Sequence, residues 1–213
     1  MRKYLFLEGE IFHVFNKSIS NFGILNKPEN CLRFIQALGH YNNLSLRINL
    51  GNFLKKNRDY SPDLLLDKDV ANIKFISYCL MPDHYHLIVK IIKDKFLSKY
   101  ISDVENSFTR FFNLKFNRKG PLWQSRFKKV KITSNEQLLH TTRYVHLNPT
   151  TSQLIDKPEN WEFSSYRNII TTDMYLKKIT EISIHNKNKY RKFVEDNKDY
   201  QQKLKKIKKL ILE

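Results

Sequence analysis

The stretch NIKFISYCLMPDHYHLIVKII, residues Asn72 to Ile92, decides the fold. It holds two apolar runs of strand length, rich in β-branched and aromatic residues, parted only by Met81-Pro82-Asp83. So short a spacer leaves the runs no geometry but an antiparallel hairpin. His84 and His86 open its second strand. In a strand, residues i and i+2 point the same way, so the two imidazoles are aimed together while Tyr85, Leu87 and Val89 face the other layer.

Upstream, EIFHVFNKSIS alternates Ile11, His13 and Phe15 against Phe12, Val14 and Asn16, a strand period. After NKPEN, with Pro28 suited to a first helical turn, Leu32, Ile35, Leu38 and Tyr41 fall at helical spacing. Residues 42–72 are less regular, and SPDLLLDKD reads as a turn followed by a short helix or loop. Downstream, Leu97, Ile101, Val104, Phe108, Phe111 and Leu114 mark an amphipathic helix that stops at Gly120-Pro121. PLWQSRFKKVKIT then leads into a basic strand. A further helix follows, with Thr133 or Ser134 as N-cap and Glu136 or Gln137 three residues on, and Pro149 is expected to end it.

The order strand, helix, two hairpinned strands, helix, strand, helix predicts an α+β fold. It is a ferredoxin-like βαββαβ sheet with helices on one face, plus one added helix. Residues 1–172 are expected to form one domain and 173–213 a basic C-terminal helical extension. From Lys187 to Glu213 ten basic residues face four acidic ones, with Phe193, Val194, Leu204, Ile207 and Ile211 at helical spacing.

The formal net charge of +17, from 38 Lys+Arg against 21 Asp+Glu, points to a polyanionic partner. Fifteen Phe and eleven Tyr suit unstacked bases as well as they suit a core. Two cysteines, Cys31 and Cys79, are too few for a thiolate metal site or a disulfide framework. MRKYLFLEGEIFHVFNKS lacks the long apolar run of a signal peptide or membrane span, so a cytoplasmic protein, monomer or homodimer, is expected.

Two neutral imidazoles at the His84/His86 spacing can chelate one divalent ion if a third protein ligand joins them. They are equally two water-exposed histidines at a strand start. On the predicted helix His140, Tyr144 and Asn148 share a stripe. Tyr144 offers a phenol that becomes a nucleophile against a polarised phosphorus, and Asn148 a ligating amide oxygen. Taken alone, each is an ordinary helix residue.

Five segments in order, HVFNKS, YCLMPDHYHLIVK, GPLWQSRF, RYVHLNPT and WEFSSYRN, resemble the IS200-like single-tyrosine (Y1) HUH transposases, within them the REP-associated tyrosine transposase branch. The resemblance spans residues 12–168. It implies His84 and His86 as ligands of a divalent cation, Mg²⁺ or Mn²⁺, Asn148 as the third ligand, and Tyr144 as the nucleophile. The implied function is a metal-dependent transesterase that cleaves and rejoins single-stranded DNA with hairpin or repeat ends through a 5′-phosphotyrosine. Lys17-Ser18 stands where the first motif commonly has Arg-Gly, and His13 sits at a position often held by His, as a supporting or DNA-contacting residue. Lys17, Arg118, Lys119, Trp123, Arg126, Lys128 and Lys129 are the candidate DNA contacts, Trp123 through stacking or else as a core anchor. The competing class is a non-catalytic binder with an RRM-like sheet, which needs neither the histidine pair nor the tyrosine and would carry a basic-aromatic signature missing here. A relaxase or replication initiator would share the histidine pair but lack the YVHLNPT and WEFSSYRN blocks.

Overall fold

The computed structural model describes residues 6–43, 48–65 and 71–198. Four strands, β1 (Ile11–Lys17), β2 (Ile73–Leu80), β3 (His84–Ile91) and β4 (Lys128–Ile132), form one antiparallel sheet in the order β2-β3-β1-β4. This is the predicted ferredoxin-like arrangement. The first two strands supply one inner and one outer position, and so do the last two.

Alternation sorts the sheet's faces. Phe12, Val14 and Asn16 of β1 pair with Val89, Leu87 and Tyr85 of β3 and turn toward α1 (Pro28–Asn42) and α3 (Leu97–Lys115), which pack on each other. There Phe34 meets Tyr85 at 5.1 Å and Phe108 at 5.3 Å between ring centroids. Ile11, His13, Phe15 and Lys17 share the other face with His84, His86, Ile88 and Lys90. Over that face lies α4 (Asn135–Thr151), in contact with β2 and β3.

Three helical readings shift. The buried stripe of α1 is Cys31, Phe34, Ala37 and Leu38, whereas Leu32 is 41% exposed; a 15-residue helix with apolar residues on several sides is oriented by its partner helix, not by its own pattern. In α3 the stripe runs through Tyr100, Glu105 and Phe112 and leaves Leu114 84% exposed, because at 3.6 residues per turn Phe112 returns to the core face about four turns beyond Leu97 while Leu114 has rotated off it. Pro149 does not end α4, which continues to Thr151: a proline's own φ is helical, and near a C-terminus it costs one hydrogen bond without breaking the axis. The N-cap is Ser134, whose Oγ accepts from Gln137 N at 3.1 Å while Gln137 Oε1 accepts from Thr133 N at 2.9 Å, a reciprocal cap.

The short helix of the irregular region is α2 (Leu50–Lys56), upstream of SPDLLLDKD, and residues 61–65 of that segment are non-helical. The segments flanking it are tied to α1 by His40 Nε2 to Ile48 O at 2.8 Å and Gln36 Nε2 to Tyr60 O at 2.8 Å. Gly39 lets the connection lie flat there, since a Cβ would stand 2.5 Å from Pro62.

Two of the quoted motifs close the sheet. WEFSSYRN runs along the outer edge of β2, with Leu80 N to Phe163 O at 2.9 Å, Ser165 N to Tyr78 O at 3.0 Å and Trp161 Nε1 to Leu80 O at 2.8 Å, so that edge is covered. GPLWQSRF stitches the end of β1 through Ile19 N to Leu122 O and Gln124 N to Lys17 O, both 2.9 Å. The opposite edge, β4, is left basic.

Beyond α5 (Tyr166–Thr171), Thr172 caps α6 (Asp173–Lys178), and α7 (Lys187–Glu195) buries Tyr190 and Val194 against α4 and α5. The expected helical face formed by Leu204, Ile207 and Ile211 lies outside the described residues. Among the described residues no helix is long and apolar enough to cross a membrane.

Candidate active site

The hairpin delivers His84 and His86 side by side, ring centroids 5.0 Å apart and nearly perpendicular. His84 Nδ1 donates to Asp83 Oδ1 at 2.6 Å, and that bond is the main reason the Asp83 carboxyl is held down at about 2. Lys17 Nζ stands 3.3 Å from the other carboxylate oxygen. His86 Nδ1 lies 3.0 Å from His13 Nε2 on β1, and its own Nε2 is buried with no partner. Burial holds His86 well below the ordinary histidine value, with His84 and His13 adding to the effect, so the ring is neutral at pH 7 and its nitrogen is free to bind.

From the helix above, Tyr144 sets its ring edge-on to His86 at 5.5 Å and to His13 at 6.3 Å while staying 42% exposed. A buried tyrosine could not meet a DNA strand. Tyr78 and Tyr85 are in that position, both phenols pushed up by burial, and Tyr85 is turned to the helix layer where its hydroxyl donates to Glu105 at 2.8 Å. Asn148, one turn beyond Tyr144, is buried with Nδ2 unpartnered. A half-turn of that amide exchanges Nδ2 for Oδ1. His140, expected on the same stripe, is exposed and bonded to Arg143.

These orphaned atoms fit a cation. Among the described residues no cluster of three His, Cys, Asp or Glu side chains could hold a metal, so a site on His84 and His86 needs an amide oxygen such as that of Asn148. Both imidazoles already have the second-nitrogen partner that metal-binding histidines use for orientation.

The basic residues divide by face. Lys17 and Lys128 flank the half-buried Phe15, Lys128 directly across from it in register, on the face that carries the histidines. Lys129 points to the helix side, its ammonium 5.3 Å from the Phe6 ring. Arg118 is bonded to Asn113 Oδ1 at 2.8 Å and Pro121 O at 3.1 Å. Lys119 and Arg126 are exposed. Trp123 is half-buried against Phe34, Tyr85 and Phe108, its Nε1 near Glu105 O, which makes it a core anchor on the helix side. At Ser18 the backbone is ordinary extended chain (φ −67°, ψ 153°), so no glycine is required there.

Sequence reasoning missed Asp83, whose signal was an acid immediately before the first histidine. Nor did it single out Phe15, whose ring lies 4.9 Å from that of His13 and 5.9 Å from that of His86.

A family model described as "Transposase IS200 like" matches residues 67–148. A curated protein named "Putative REP-associated tyrosine transposase", from Haemophilus influenzae (strain ATCC 51907 / DSM 11121 / KW20 / Rd), is 24% identical over 110 residues, 47% of this chain and 62% of that protein. The match thus spans under two thirds of the relative's length. A solved REP-associated tyrosine transposase bound to a REP hairpin overlays with a TM-score of 0.58 at 17% identity, covering 82% of this chain and 87% of that one. Sequence and fold alike resemble these transposases.

Proposed function

We propose that the chain is a single-stranded DNA transesterase that cleaves and rejoins DNA at hairpin or repeat sequences, using Tyr144 as nucleophile. The observation that carries this reading is the half-exposed Tyr144 ring set against a buried, neutral histidine whose Nε2 has no partner. The hairpin in the solved relative motivates the choice of substrate.

Tyr144 Oη bonds to phosphorus as the bond from phosphorus to the 3′ oxygen breaks. The phenolic proton is lost to solvent and the departing oxygen gains one, leaving a 5′-phosphotyrosine and a free 3′-hydroxyl. A second 3′-hydroxyl reverses the step, so no external energy source is needed. His84, His86 and Asn148 would hold Mg²⁺ or Mn²⁺, which supplies charge stabilisation at the non-bridging oxygens. Lys17 and Lys128 bind the flanking phosphates and Phe15 lies between them under a base, while Lys119 and Arg126 extend the basic track.

The test is to incubate the protein with a single-stranded hairpin and divalent cation and look for a protein-DNA adduct that survives boiling in detergent. Tyr144→Phe, which removes one oxygen and keeps the ring, should abolish it. An adduct persisting in that variant moves the nucleophile elsewhere; wild type that binds but forms no adduct and cuts nothing favours the RRM-like binder.

A further inference from the structure

We infer that His13 is a positioning residue for His86: by accepting a hydrogen bond from His86 Nδ1 it fixes the tautomer whose Nε2 lone pair is open to a cation. The inference rests on the metal reading above. The 3.0 Å contact between His13 Nε2 and His86 Nδ1 needs one donor and one acceptor. If His13 donated, His86 would carry its proton on Nε2, a buried N–H with no partner, which is unfavourable because a buried donor left unpaired keeps its full desolvation penalty. If His86 donates, the same site becomes a bare lone pair that a cation satisfies. Only the second arrangement can ligate.

The neighbouring histidine supports this assignment. Asp83 can only accept from His84 Nδ1, which leaves His84 Nε2 as the ligating atom. Each imidazole therefore has an acceptor behind it, a carboxylate for His84 and an uncharged ring for His86. That difference has a purpose in a site for phosphate, where a second carboxylate would repel the substrate. The strands impose the geometry: His13 pairs with Ile88 and Phe15 with His86, so His13 is the diagonal same-face neighbour of His86. Its ring stacks on His86 at 5.1 Å and is backed by Phe15 at 4.9 Å.

The experiment titrates Mn²⁺ into the DNA-free protein and reads free Mn²⁺ by electron paramagnetic resonance. His13→Phe keeps a stacking ring but no acceptor; His13→Gln loses the ring and keeps an amide oxygen that can accept. The expected result is a roughly 10- to 100-fold weaker Mn²⁺ affinity for His13→Phe, with His13→Gln within about threefold of wild type. Equal affinity of His13→Phe and wild type overturns the inference. So does an equal loss in both variants, which would assign the effect to packing. Thermal melts without metal check that each variant folds, with His13→Leu replacing an unfolded His13→Phe. Wild type that binds no Mn²⁺ removes the metal reading itself, and the inference with it.

Discussion

His86 on β3 and His146 on α4 are both buried and both held neutral, His146 pushed down to about 3 by burial alone, yet His86 lies in the proposed site and His146 in the scaffold. The difference lies in their hydrogen bonds. His146 accepts at Nδ1 from Tyr190 Oη at 2.9 Å and donates from Nε2 to Ser165 Oγ at 2.8 Å, and Ser165 Oγ in turn accepts from Tyr78 N at 2.9 Å. Both nitrogens are satisfied, and the chain of bonds runs from α7 through α4 to β2. His86 has one nitrogen satisfied and one orphaned, beside a half-exposed tyrosine. Burial and a lowered pKa mark both; unmet bonding capacity separates these two, and the adjoining His84 and half-exposed Tyr144 set His86 apart from His40, which is also buried with an unpartnered ring nitrogen.

The strongest way to break that contrast is to remove each ring. His86→Ala should lower adduct formation roughly 10³-fold or more while single-strand binding, measured on the same oligonucleotide, stays near wild type. His146→Ala should do the reverse. It leaves a cavity and strands the Tyr190 hydroxyl, costing roughly 2–4 kcal/mol in denaturant unfolding, with activity per folded molecule largely kept. Equal catalytic loss in the two variants would erase the distinction.

Smaller changes sharpen it. Tyr190→Phe removes one oxygen and leaves His146 Nδ1 unmet, so the denaturant midpoint should fall by the equivalent of about 1–2 kcal/mol with unchanged m-value.

Glu105 tests the helix side of the sheet. Burial raises its carboxyl to about 7 against the donors Asn16 and Tyr85, so the folded state holds a proton that the unfolded chain releases near 4.5. Its contribution to stability is therefore complete below pH 4.5 and lost as pH rises through about 7. Glu105→Gln should flatten the fall in stability between pH 5 and pH 8 and gain about 1 kcal/mol at the upper end, read from urea melts.

The smallest effect belongs to single lysines. Lys128→Ala, on the histidine face, should lower the slope of log K against log salt by about 1 for a single-stranded oligonucleotide. Lys129→Ala, whose side chain lies against Phe6 on the other side, should leave that slope unchanged. Equal slopes for both would mean that the sheet face is not the binding surface.

Strand phase was fully legible in the sequence: HYHLIVKI and IFHVFNK state by alternation which residues share a face, because side-chain direction in a strand is a local property of the backbone. The hairpin and the pairing of His84 with His86 followed from that, while the order of elements drew also on helical spacing, caps and Gly-Pro stops. Helix orientation was not legible in the same way. Leu32 and Leu114 carry the right spacing but face solvent, and Glu105 carries the wrong chemistry but faces the core, because a helix with apolar residues on several sides is turned by the partner it meets. Bonding across distance was equally hidden. That His13 lies behind His86, that Tyr190 holds His146 and that Trp123 joins the core depends on contacts between residues 18 to 89 positions apart, and no local pattern encodes which buried histidine is left with a nitrogen to spare beside a half-exposed tyrosine.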